Sequence, residues 1–242
     1  MQPFLFVLGI MTLAAVAVFL SIARRRETRA LRELAGRQRL NYTAEDLIDL
    51  HERYYRLHLI RQGHNRFAWN LLYGTTNEGL VSLFCYRYDL GFGVDQTHRS
   101  WWVAVLETPC CHSNWLADRC SEQQPHGGPG PAGQTPLLTK EGTGEVQPQA
   151  RYEGRIGSFI LRPDRHDTID RLRQAGLEGF LGEATGVAHI EVCGHLVSLA
   201  APHERNPQLP ATLLEAVRHL ARLLNDAVPA PSDPSSARLI TL

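Results

Sequence analysis

Hydrophobic positions follow different periods in different parts of this chain. From Phe4 to Ala23 they are continuous, with no charged side chain in the run, and Arg24-Arg25-Arg26 follow directly. At ~1.5 Å rise per helical residue, such a run just crosses a hydrocarbon core of roughly 30 Å. The pattern predicts a transmembrane anchor over 1–23. Residues 24–40 then take a helical period, with Leu31, Leu34 and Ala35 on one face and arginines around them. This predicts a basic juxtamembrane helix continuing the anchor. Thr43 is expected to cap a short helix reaching His51, with Glu45 and Asp46 in its first turn.

From Tyr54 the period becomes two. Tyr55, Leu57 and Leu59 alternate with Arg56 and His58, then Gly63 lies in a turn, and Phe67, Trp69, Leu71 and Tyr73 share one face of a second strand. Residues 80–88 and Trp101–Glu107 supply two more strands. Short polar connections join all four, so an antiparallel meander is expected, since parallel pairing needs longer crossovers. The pattern stops at residue 109. Residues 109–152 are rich in Gly, Pro and Gln and predict a disordered insertion within the α+β domain. A strand at Ile156–Leu161 follows, then a helix capped by Asp167 and stopped by Gly176, and a helical turn at Leu177–Leu181. His189–Val192 and Leu196–Ala200 read as a hairpin around Gly194. Leu213, Val217, Leu220 and Leu224 form the stripe of a last helix, and residues 229–242 a disordered tail.

The expected fold is α+β: an N-terminal transmembrane helix, then an antiparallel sheet domain, 41–108 plus 153–228, packed with the C-terminal helix. A pleckstrin-homology-like barrel is the alternative.

Charge and chemistry refine this picture. The formal net charge is zero, which removes any global electrostatic argument for nucleic acid. Arg24, Arg25, Arg26 and Arg29 are the local exception. They favour retention of the following domain on the cytoplasmic side, and each is attracted to anionic headgroups by about 1 kcal/mol. The expected location is the inner (plasma) membrane, single-pass, with the domain cytoplasmic. Ser21-Ile22-Ala23 also mimics a signal-cleavage site, but cleavage there would leave three arginines at the new start. The cysteines at 85, 110, 111, 120 and 193 show no disulfide framework, as suits a reducing compartment.

Cys110, Cys111, His112 and Cys120 are the candidate metal ligands, since zinc takes thiolate and imidazole. Their spacing supplies no second closely spaced pair, so no cofactor is assigned. Cys85 and Cys193 fall inside strand patterns and read as small hydrophobes. No phosphate loop, dinucleotide fingerprint or nucleophile elbow is present, and no catalytic residue is assigned. Trp101 and Trp102 must face opposite sides of their strand, which makes one of them a candidate binding surface.

Three stretches carry a family resemblance. They are Gly63-His64-Asn65-Arg66 with Asn70-Leu71-Leu72-Tyr73-Gly74, then Leu83-Phe84-Cys85-Tyr86-Arg87-Tyr88, and Ile190-Glu191-Val192-Cys193-Gly194-His195-Leu196-Val197 with the final helix. The chain resembles a family of uncharacterised bacterial single-pass membrane-anchored proteins of unknown function. The resemblance implies the membrane-anchored arrangement and attaches no activity to it. The expected role is a membrane-anchored interaction or scaffolding module whose partners are the lipid bilayer and a protein. A membrane-tethered enzyme or metal-binding protein using Cys/His chemistry and a lipid-surface sensor are the alternatives.

Overall fold

The computed structural model describes residues 2–120, 152–165, 167–204 and 206–227. Helix α1 runs unbroken from Gln2 to Gln38, about 55 Å at helical rise. Its C-terminal part packs on the domain through Leu31, Leu34 and Ala35, as their spacing predicts. Among the described residues no helix is long and apolar enough to cross a membrane, and the transmembrane reading of 1–23 falls partly on side chains outside those residues.

Arg39, in the left-handed region, ends α1, and β1 (Asn41–Glu45) turns back onto β2 (His64–Thr75). Thr43 therefore lies in a strand. The cap expected of it is supplied by Asp46, whose carboxylate accepts the N–H groups of Ile48 and Leu50. The strand expected at Tyr55–Leu59 is instead two helical turns, α2 (Leu50–Arg53) and α3 (His58–Arg61). Leu50, Tyr54 and Leu57 recur at helical spacing and are fully buried, while Tyr55 is exposed. Here the period of two was accidental.

The other three strands of the expected meander are present: β2, β3 (Leu80–Leu90) and β4 (Thr97–Arg119) pair antiparallel in sequence. β4 continues through Cys110 and Cys111 to Arg119, so 109–119 is strand and not part of a disordered insertion. Residues 121–151 of that insertion, and the tail from 228, lie outside the described residues. Ile156–Leu161 divides into β5 (Gly154–Ile156) and β6 (Phe159–Pro163), because Gly157 turns the chain with a positive φ. The helices α4 (Thr168–Gln174) and α5 (Leu177–Glu183) meet at Gly176 as expected, although Asp167 makes no side-chain capping bond. The hairpin expected around Gly194 is one strand, β7 (His189–Pro202), bulged at that glycine and paired with β4 along both its halves. Helix α6 (Leu209–Ala227) closes the domain.

The strand order is β1-β2-β3-β4-β6-β5, with β7 on the other edge of β4. The sheet is open, so the barrel alternative is not formed. Both faces are covered. Leu72, Leu83, Cys85, Trp102 and Leu106 face a core shared with α1, α4, α5 and α6. Leu71, Phe84, Tyr86, Val103 and Val105 face the smaller core under α2 and α3. At roughly 25 cal/mol per Å² of apolar surface removed from water, these two layers are the main favourable term for folding.

Candidate functional site

The described residues bring two polar constellations into the apolar framework. The first lies where α1 crosses the sheet. Between Trp69 and Leu72, β2 carries one residue more than β3 opposes, so the ladder bulges. Asn70 takes up the extra length with φ 55° and is buried. An asparagine tolerates this conformation better than most side chains do. Its amide donates to Glu27 of α1 at 3.4 Å and accepts from the Tyr42 hydroxyl at 2.9 Å. Cys85 of β3 lies beneath, fully buried, and burial pushes its thiol pKa far up. His203, just past β7, has its backbone N–H on Ser100 at 2.9 Å and its ring against both Trp69 and Trp102. Its Nε2 stands 3.6 Å from Glu27 Oε1 and, although buried, has no hydrogen-bond partner among the described residues. Among the described residues, Glu27, Cys85 and His203 form the one group of three metal-type ligands, with donor atoms all within 4.8 Å of one another.

The second constellation is on the opposite face. His189 is buried between Asp118 at 2.7 Å and Glu191 at 3.4 Å, and Arg162 pairs with Asp118 at 2.8 Å. Burial disfavours charge on the imidazole, but the two carboxylates outweigh it and raise its pKa to about 9. Burial likewise opposes the Asp118 charge, yet His189 and Arg162 hold its pKa below the usual carboxylate range. Glu191 also accepts the His58 N–H at 2.6 and 2.7 Å, fixing the start of α3 to β7. Every member has a charged or hydrogen-bonded partner, and the network ties α3 to β4, β6 and β7.

The residues singled out from sequence are placed as follows. Cys110, Cys111 and His112 follow one another on β4 beside Gly194, while Cys120 lies past the strand end against Ser158. Eight residues separate His112 from Cys120, about 25 Å of extended chain, so one ion does not span them. Trp102 is buried in the larger core, and Trp101 is half-buried against the smaller one. Arg25, Arg26 and Arg29 are exposed on α1, and the Arg24 side chain lies outside the described residues. The Glu27–Asn70–Cys85–His203 grouping was not visible in the sequence: no spacing joins residues contributed by a helix, two strands and a strand end.

The exposed apolar side chains gather elsewhere. Met11, Leu13, Val16, Val18, Phe19 and Ile22 all project from α1 into solvent. Leu90, Phe92 and Val94 do so at the β3–β4 turn, where Val94 is 101% exposed. Asp89 holds that turn, accepting from Asn65 at 3.1 Å and Gln96 at 2.7 Å and pairing with His98 at 2.5 Å. The bond from His98 is the largest influence drawing the Asp89 pKa down to about 2. His64 stacks on Phe92.

Neither a protein-family model nor a curated protein matches this chain. A solved structure does: the crystal structure of the mycobacterial trehalose monomycolate transport factor A, TtfA. It aligns with a TM-score of 0.57 at 16% identity, over 86% of this chain and 99% of that one. At this identity the likeness is one of fold.

Proposed function

We propose that this protein is a single-pass, membrane-anchored, non-catalytic module whose α+β domain sits in the cytoplasm against the inner leaflet and engages a protein partner there. The observation that carries the reading is the continuity of α1. One helix exposes Met11, Leu13, Val16, Val18, Phe19 and Ile22 and then buries Leu31, Leu34 and Ala35 in the domain core. Six exposed large apolar side chains on one helix are costly in water and favourable in hydrocarbon. Arg25, Arg26 and Arg29 follow at the level where headgroups would lie, and basic residues in that position favour the cytoplasmic side.

The position of the β3–β4 turn supports close apposition to the leaflet. Glu27 lies beside Asn70 of β2, and Leu40 lies beside Gly74, where an added Cβ would meet Leu40 Cδ2 at 2.9 Å. α1 and β2 therefore run in the same general direction. Followed back toward its N-terminus, α1 heads for the sheet end that carries His64, Phe67 and the turn bearing Phe92 and Val94. Anchor and exposed apolar turn share that end.

Fractionation tests the anchoring. The full chain is expected to stay with membranes through washing at high salt and at alkaline pH. The double substitution Leu13→Arg and Val16→Arg is expected to release it, since a central arginine costs about 2.5–3.5 kcal/mol on insertion scales. A wild-type chain freed by the alkaline wash would overturn the anchor.

A further inference from the structure

We propose that Glu27, Cys85 and His203 form a zinc-binding site that ties the anchor helix to the sheet. The donor set is the first argument. Thiolate, imidazole and carboxylate together are ligands zinc takes, and a thiolate argues against magnesium or calcium. Geometry is the second. Zinc bonds of roughly 2.0–2.3 Å in a tetrahedron set neighbouring donors about 3.4–3.8 Å apart. The Glu27–His203 separation of 3.6 Å already fits, and the remaining donors, within 4.8 Å, close by about 1.4 Å at most.

The surroundings are the third argument. The His203 ring is held by Trp69 and Trp102, and its buried Nε2 faces Glu27 with no hydrogen-bond partner among the described residues. A ligand of this kind normally has its orientation fixed by neighbours, and here ring packing does so. Asn70, buried in a left-handed bulge, holds Glu27 from the other side and is in turn held by Tyr42. Cys85 is fully buried and so closed to an external substrate, and it ligates only as the thiolate, so an ion must displace its proton to bind. Glu27 is the half-exposed member, so water can fill a fourth position from that side.

Zinc binding here joins α1 to β3 and to the end of β7. It deprotonates the Cys85 thiol, so one proton leaves to solvent for each ion bound. The angle at which the anchor helix leaves the domain then depends on the metal.

Cobalt(II) titration of the full chain in detergent, after chelation to remove metal, tests this. One equivalent is expected to give tetrahedral d–d bands and a thiolate-to-cobalt charge-transfer band, both abolished by added zinc(II). Cys85→Ser is expected to lose the charge-transfer band, and His203→Gln to weaken binding. A chain in which Cys110, Cys111, Cys120 and Cys193 are all serine, leaving Cys85 as its sole thiol, is expected to keep the band. That variant decides the matter even if Cys85→Ser fails to fold. Absence of the band in wild type, its persistence in Cys85→Ser, or its loss in the four-serine chain would each overturn the site.

Discussion

Glu191 carries two structural loads at once: it is an ion-pair partner for His189 and the acceptor for the backbone N–H of His58. Removing it leaves a protonated imidazole with one fewer partner and a helix start without its acceptor. Glu191→Ala is therefore expected to destabilise the domain by about 3 kcal/mol, read as a shift of the denaturant midpoint. The same network sets a pH window. The His189 pKa is raised in the folded state, so its contribution is complete below the free value of 6.5 and is lost as pH rises through about 9. The Asp118 pKa is depressed, so its contribution is lost as pH falls below the ordinary carboxylate value of 3.8. Thermal midpoints are expected to fall between about pH 6.5 and pH 9, and less steeply in His189→Asn. An unchanged slope in that variant would assign the alkaline loss to other groups.

At the scale of elements, α1 is the piece whose two halves have different surroundings. Leu34→Ala removes packing from the buried half and is expected to cost about 2–4 kcal/mol in stability without detaching the chain from membranes. The β3–β4 turn belongs to the same mechanical unit by its position. An environment-sensitive fluorophore at Phe92→Cys, in a chain whose Cys110, Cys111, Cys120 and Cys193 are serine and whose buried Cys85 is kept, is expected to shift to the blue in proteoliposomes. Inserting Gly-Gly after Arg26 uncouples the helix from the domain and is expected to weaken that shift. These elements were unequally legible. The meander, the α4–α5 pair and the final helix were readable because each repeats its apolar period long enough to exclude the other. The segment 54–59 was not, because Leu50, Tyr54 and Leu57 at helical spacing overlie Tyr55, Leu57 and Leu59 at strand spacing. β4 was truncated in the reading because Pro109, Cys110 and Cys111 break the alternation at a bulge that pairing with β7 tolerates. The metal-type cluster was illegible for a different reason. Residues 27, 85 and 203 meet only after α1 crosses the bulge at Asn70, and no local pattern encodes that crossing.

For the whole molecule, both sheet faces are covered, and among the described residues α1 and the turn at Phe92 and Val94 carry most of the exposed large apolar side chains, with Leu47, Tyr55, Phe67 and Tyr152 exposed elsewhere. A domain with both sheet faces buried in its own helices has no need of a partner to complete its core. In the proposed arrangement the exposed apolar side chains of α1 and of the turn bearing Phe92 and Val94 meet lipid together. Screening by salt weakens the contribution of Arg25, Arg26 and Arg29 and leaves the apolar anchor untouched. Attachment is thus expected to be insensitive to ionic strength, while the blue shift at position 92 falls with it in anionic vesicles. The most direct test of the central claim is protease accessibility of the domain from the two sides of the inner membrane. Residues 41–227 are expected to survive protease added to intact spheroplasts and to be digested once the membrane is opened. Digestion in intact spheroplasts would contradict it.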